Sequence, residues 1–187
     1  EGIFTGWAET LKSDGLRTIT GRIIGDDNAF DDEALGPGWA WDDLQGRDAA
    51  GVSALQYNEN TIQVTIAPGA AIGAPAIIML TPAGSDLDLD LDNQIATAAA
   101  AAVPAIAARR SPGSSRLELR GSIPLVSEPI ARVVSVNNPT LFFVTALRNA
   151  LTAHGIDVRG AAVDVDDLRD APSPAGGTLL VIHHSPP

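Results

Sequence analysis

The 187-residue sequence contains no cysteine, which excludes disulfides, thiolate metal centres and a cysteine nucleophile. That absence suits any compartment and identifies none. No stretch reaches the roughly eighteen consecutive apolar residues of a membrane span; the longest alanine-rich run, 98–108, is interrupted by Pro104. Basic charge is scarce: 12 Lys+Arg stand against 23 Asp+Glu, a net charge of -11. Such a surface repels phosphate backbones and argues against a polybasic membrane-surface helix. Neither Gly-x-Gly-x-x-Gly nor Gly-x-x-x-x-Gly-Lys-Ser/Thr occurs, so a phosphate cradle has no sequence signal. Gly-x-Ser-x-Gly is missing, and with it the hydrolase elbow. Residue 1 is Glu, with no charged stretch leading into an apolar one as in a signal peptide. The sequence closes on Ser185-Pro186-Pro187 directly after an apolar run. Together these ends favour a piece of a longer chain.

The residues present are well organised. Hydrophobic residues make up 45% of the sequence, enough for a packed core rather than disorder. Near the start, Thr5 is placed to cap a helix that carries Trp7 and Leu11 on one face. Gly15 supplies a left-handed stop and Leu16 can fold back on it. Residues 17–25 then read as a strand running into Asp26-Asp27. Near the end the plan recurs. Asn138-Pro139 is a cap and first-turn pair, and Leu141, Val144, Leu147 and Leu151 repeat at helical spacing. Gly155 closes that helix, and strand-like segments follow at 156–160 and 161–165. Two helix-Gly-strand units at opposite ends predict one shared α/β sheet.

The middle changes character. Segments 61–66, 76–80, 86–92, 116–120 and 130–136 alternate or are β-branched, with Pro and Gly punctuating between them. The expected fold class is therefore α/β (α+β): an α/β domain from 1–57 and 137–187, holding an inserted antiparallel β-rich domain at 58–136.

Candidate chemistry is sparse. Asp86, Asp88, Asp90 and Asp92 alternate with leucines. Carboxylates are hard oxygen ligands, but the central Gly and distal Glu of a calcium loop are missing. Four acids on one strand face repel each other, so solvent exposure with the leucines turned to the core is expected. His183 and His184 are neighbours that a strand points to opposite faces, and His154 stands at a predicted helix end; none has an HxxxH or HExxH context. No metal and no cofactor is expected. Two of the three tryptophans fall in Gly36-Pro37-Gly38-Trp39-Ala40-Trp41-Asp42-Asp43-Leu44. A turn-rich acidic segment of this kind either plugs its own core with indoles or presents them to a partner.

Read in order, several stretches resemble the class C low-molecular-mass penicillin-binding proteins, the serine D-Ala-D-Ala carboxypeptidases and endopeptidases. They are Trp7-Ala8 with Leu11 and Gly15-Leu16; Gly25-Asp26-Asp27-Asn28-Ala29-Phe30; and the Trp-Ala-Trp-Asp-Asp segment, the most specific of them. Val52-Ser53-Ala54-Leu55, Asn58-Glu59-Asn60 and Arg120-Gly121-Ser122-Ile123-Pro124 follow. Asn138-Pro139 with Phe142, Leu147, Leu151, Gly155-Ile156 and Gly160, and then His184-Ser185-Pro186-Pro187, complete the series.

The resemblance implies an active site of Ser-x-x-Lys, Ser-x-Asn and Lys-Thr-Gly, which this sequence lacks. Its single lysine, Lys12, has Glu9 three residues before it and Ser13-Asp14 after it. The lone Ser-x-Asn, Ser135-Val136-Asn137, stands in the wrong place for the family motif. The implied identity is thus the family's large non-catalytic insertion, an α/β domain holding a smaller β domain, with residues 1 and 187 at the same end. No catalytic residue is expected. The implied partners are the rest of the parent enzyme, with its transpeptidase-like catalytic domain, and the peptidoglycan stem peptide. The implied location is periplasmic or secreted. Trp39, Trp41, Asp42 and Asp43 would then form a substrate-proximal loop over the catalytic groove. A free-standing extracytoplasmic binding or scaffold module without activity is the alternative.

Overall fold

The computed structural model describes residues 2–31, 33, 38–40, 43–84, 89–111, 113–170 and 177–184. The first helix, α1, spans Gly2–Ser13 and buries Phe4 and Ala8. It begins before Thr5, which lies inside the helix rather than capping it. The cause is Phe4: its ring stacks on Tyr57 at 5.2 Å and meets Phe143 edge-on at 4.9 Å, and that burial extends the helix toward Gly2. The second helix, α2, spans Pro139–Ala153. Its cap is the expected one, the Asn138 side chain accepting from the Leu141 amide at 2.7 Å with Pro139 in the first turn.

Both helices stop by the same device. After α1, Gly15 adopts φ +94° and the Leu16 amide returns to the Leu11 carbonyl at 3.0 Å. After α2, Gly155 adopts φ +83° and the Ile156 amide returns to the Leu151 carbonyl at 3.0 Å. These are paired Schellman ends. The Lys12 ammonium joins them, donating to the His154 carbonyl at 2.9 Å.

Each unit then contributes two short strands, where one longer strand is expected after α1 and two segments after α2. β1 (Thr18–Ile19) and β2 (Ile23–Gly25) follow α1; β9 (Asp157–Val158) and β10 (Ala162–Asp164) follow α2. Equivalent strands pair in parallel, β1 with β9 and β2 with β10. The break between them lies where the two segments approach most closely, at Gly21 and Gly160. A Cβ on Gly160 would stand 1.9 Å from the Gly21 carbonyl oxygen. Ala8, Leu151, Ile156 and Val158 form the core beneath, with Leu11, Leu16 and Ile19 against it.

The intervening chain forms two three-stranded sheets. One is ordered β4 (Ile77–Thr81), β3 (Thr61–Ala67), β8 (Ile130–Ser135), all antiparallel. The other is ordered β5 (Asp90–Ala98), β7 (Arg116–Pro124), β6 (Ala105–Arg110). Here β5 and β7 run parallel, where an all-antiparallel arrangement is expected from the spacing. The chain between them is long enough to turn back because it holds β6, hidden in the alanine-rich run whose low strand propensity masks it. Ile62, Val64 and Ile66 of one sheet meet Ile95, Leu117, Leu119 and Ile123 of the other in one core. The α+β class holds.

Alternation explains the acidic ladder in part. Leu89 is buried and Leu91 packs on the core, while Asp90 is exposed. Asp92 is not left to water alone: Arg116 donates to it at 2.5 Å and Gln94 at 2.9 Å. These two hydrogen bonds, the Arg116 one first, hold the Asp92 carboxyl below its ordinary value. The same pairing raises Arg116. Asp86 and Asp88 lie outside the described residues.

Candidate functional site

Of the four loop residues singled out in the sequence, Trp41 and Asp42 fall outside the described residues. Trp39 is half-buried and Asp43 is exposed. The Asp43 amide donates to the Ala40 carbonyl at 3.1 Å, and the Gly46 amide to the Asp43 carbonyl at 2.7 Å. The chain that follows is pinned. Leu44 is buried, Gly46 bridges to Val134, and the Ser135 amide donates to the Gln45 carbonyl at 3.2 Å. Ser135 Oγ donates to the Leu44 carbonyl at 2.6 Å and accepts from buried Arg110 at 3.4 Å. The serine of the lone Ser-x-Asn is therefore 1% exposed and committed to holding the loop base on β8.

Three other stretches that carry the resemblance meet at Asp27. Asp27 Oδ2 accepts from Ser53 Oγ at 3.0 Å and from Thr140 Oγ1. This joins the strand end after β2, the 52–55 segment and the first turn of α2. Asn58, Glu59 and Asn60 all take left-handed backbone conformations, with φ of 50°, 55° and 52°. Side-chain bonds hold that costly turn. Asn58 Nδ2 donates to the Thr61 carbonyl at 2.7 Å; Asn60, 2% exposed, accepts from the Tyr57 amide at 3.2 Å and donates to the Gly51 carbonyl at 2.8 Å. Asparagine tolerates this region and can bond its own loop, so Asn-Glu-Asn is a structural signature here.

Around Asp27, one carboxylate oxygen each of Asp27, Asp164 and Asp166 lies within 4.8 Å of the others. The sequence shows Asp-Asp pairs at 26–27 and 166–167 but gives no sign that they meet. Parallel pairing of β2 with β10 brings them together. Asp164, 6% exposed, accepts from Asn138 Nδ2 at 2.7 Å and from the Asp166 amide at 3.2 Å. Its oxygens therefore brace the α2 cap and the turn after β10. The histidines do not meet: His154 Nδ1 stands 3.0 Å from the Ala150 carbonyl, His183 faces Trp7 with ring centroids 6.0 Å apart, and His184 is exposed.

Sequence reasoning missed an aromatic groove. Phe4 and Trp7 of α1, Tyr57 and Phe143 line it together with Gln63, Thr81 and His183, in a volume of about 1030 Å³. Phe4 and Phe143 carried no signal of their own in the sequence, because their convergence depends on how α1 and α2 pack. The contact of Trp7 with His183 brings α1 beside the last described residues; residues 1 and 187 lie outside the described set.

The Ser-Lys arrangement of a serine acyltransferase requires its lysine within hydrogen-bond reach of a hydroxyl nucleophile. Lys12, the single lysine, instead donates to a helix-end carbonyl.

A curated D-alanyl-D-alanine carboxypeptidase from an Actinomadura species is 28% identical over 159 residues, a match covering 82% of this chain and 29% of that protein. Among solved structures, penicillin binding protein 4 of Haemophilus influenzae matches with a TM-score of 0.69 at 18% identity, over 91% of this chain and 37% of that one. The same protein complexed with a novel β-lactam matches with a TM-score of 0.55 at 15% identity, over 91% and 35%. At these identities the solved structures establish the fold alone. The chain thus spans about a third of the length of the relatives it matches. The sequence pattern of the D-Ala-D-Ala carboxypeptidase 3 (S13) family matches residues 3–187, and the chain belongs to that family.

Proposed function

We propose that the chain is the non-catalytic insertion of a serine-type D-alanyl-D-alanine carboxypeptidase that acts on peptidoglycan stem peptides outside the cytoplasm. One observation carries the reading. The family match runs from residue 3 to 187, yet no Ser-x-x-Lys or Lys-Thr-Gly occurs within it, and the only lysine is spent on a helix end. A family member without the family's nucleophile supplies walls and scaffold to one housed elsewhere in the polypeptide. In this reading, 1–57 and 137–187 form the α/β domain that joins the catalytic domain, and 58–136 is a β unit inserted into it. The parallel pairing of β1 with β9 and β2 with β10 supports that division, since both ends of the chain then build one layer.

The loop carrying Trp39, Trp41, Asp42 and Asp43 is the part of the insertion proposed to reach the substrate. Indoles pack on peptides and over ammonium groups, and a carboxylate pairs with a free side-chain amine on the stem peptide. The bonds that pin Leu44, Gln45 and Gly46 to β8 give it a fixed base.

Labelled penicillin tests the reading. The 187-residue chain stays unlabelled and the full-length product is acylated; an adduct on any serine of this chain overturns it. For the loop, Asp42→Ala with Asp43→Ala in the full-length enzyme lowers turnover of substrates bearing a free side-chain amine. Unchanged turnover removes the loop from the substrate site.

A further inference from the structure

The two β-sheets turn very different outer faces to solvent. On the β5-β7-β6 sheet the outward side chains include the Asp92–Arg116 and Glu118–Arg120 pairs. On the β4-β3-β8 sheet, register places Ile77, Met79 and Thr81 beside Ala67, Thr65 and Gln63, with Ala131 and Val133 on the far strand. No Asp, Glu, Lys or Arg stands in that set. Ile77 is 55% exposed, Met79 53% and Val133 41%.

This face does not end at the sheet. Its Gln63 and Thr81 also line the aromatic groove, so the groove and the sheet face form one continuous surface. Among the described residues, the groove lining likewise includes no formally charged side chain. A contiguous uncharged surface on a chain of net charge -11 marks a contact with another polypeptide. Ile3 and Trp7, on the first helix, and His183, among the last described residues, all line it. Most of the length of the matching relatives lies outside the matched region.

We propose that this surface is the seat of the catalytic domain of the same polypeptide, which rests on it through an uncharged, largely apolar face. The inference rests on the reading of the chain as an insertion. It adds which side of the insertion faces inward: the α1 groove and the β4-β3-β8 face are covered, and the ion-paired β5-β7-β6 face stays in water.

Because this region has no cysteine, single thiols can report coverage in the full-length protein, with any cysteine elsewhere replaced. Gln63→Cys and Met79→Cys probe the proposed seat; Gln94→Cys probes the opposite sheet at another exposed strand position. Thiol reactivity follows exposure, so in the native protein maleimide labels the two seat variants at least about tenfold more slowly than the Gln94→Cys variant. All three label alike after unfolding. Equal native rates overturn the proposal. Protection that disappears on dilution also overturns it, because a second copy is then the cover. Penicillin acylation of each variant is read in parallel. It confirms native folding and judges the insertion reading separately: unlabelled full-length protein sinks that reading, whereas equal thiol rates in an acylated protein sink only the seat.

Discussion

The two sheets share one core yet differ on the sides they show to water. Ile66 on one and Leu119 on the other are both fully buried in it. On the β5-β7-β6 sheet, alternation sends leucine and isoleucine inward and Asp, Glu and Arg outward, where Asp92 meets Arg116 across strands and Glu118 meets Arg120. This is the ordinary solution for a sheet with one wet face. The β4-β3-β8 sheet turns Ile62, Val64 and Ile66 inward from its central strand, though its edge strand β8 alternates less regularly, and outward it carries Ile77, Met79 and Val133. A difference this local teaches that inward alternation reports folding, whereas the composition of the outward set reports what lies beyond the fold.

Substitutions in each sheet put that contrast at risk. The largest effect is expected at Gly121, in β7, whose φ is +127° and whose added Cβ would stand 1.8 Å from the Ala105 carbonyl oxygen. Gly121→Val should destabilise by roughly 3 kcal/mol or more and detach β6, measured by denaturant unfolding. A loss under about 1 kcal/mol would mean the β6–β7 pairing is not as described. Next comes the shared core: Ile66→Ala and Leu119→Ala should each cost about 2–5 kcal/mol and move a single cooperative transition. Two separate transitions would show that each sheet has its own core.

Smaller effects separate the outer faces. In the full-length protein, Met79→Lys should lower stability by more than about 1 kcal/mol if that face is covered, while Ala96→Lys on the other sheet stays within about 0.5 kcal/mol. The smallest effect belongs to Asp92. Its carboxyl is held below the ordinary value of 3.8 by Arg116 and then Gln94. A group with a lowered folded-state pKa contributes stability above its unfolded value and loses it as pH falls through the folded one. Asp92→Asn should therefore leave stability nearly unchanged below the lowered value, with its modest cost confined to pH above about 3.8 and reduced by salt. A carboxyl titrating at or above 3.8 in a pH series followed by NMR would show that the pair does not form.

Much of this architecture was legible in the residues. Gly15 and Gly155 marked both helix ends, Asn138-Pro139 marked the start of α2, alternation placed β3 and β7, and β-branched composition placed β8. The misses have physical causes. Thr5 has the chemistry of a cap, but aromatic burial of Phe4 outweighs one capping bond. Strand β6 is rich in alanine, so its sequence says little; its partner β7 imposes the conformation. The parallel β5–β7 pair depends on tertiary register, which alternation does not encode. At the candidate site, the Trp-Ala-Trp-Asp-Asp segment was visible as an unusual composition. The convergence of Asp27, Ser53 and Thr140 was not, since it joins residues up to 113 positions apart.

The pairing of equivalent strands from the two ends has a consequence for biosynthesis. On a ribosome, β1 leaves the exit tunnel with its hydrogen-bonding edge intact and no neighbour to receive it, because Thr18 pairs with Asp157. At about 5–20 residues per second, that neighbour is roughly 7–30 seconds away. The β-rich middle emerges whole in the interval, so the layer that β1 begins is completed only after both three-stranded sheets have left the tunnel.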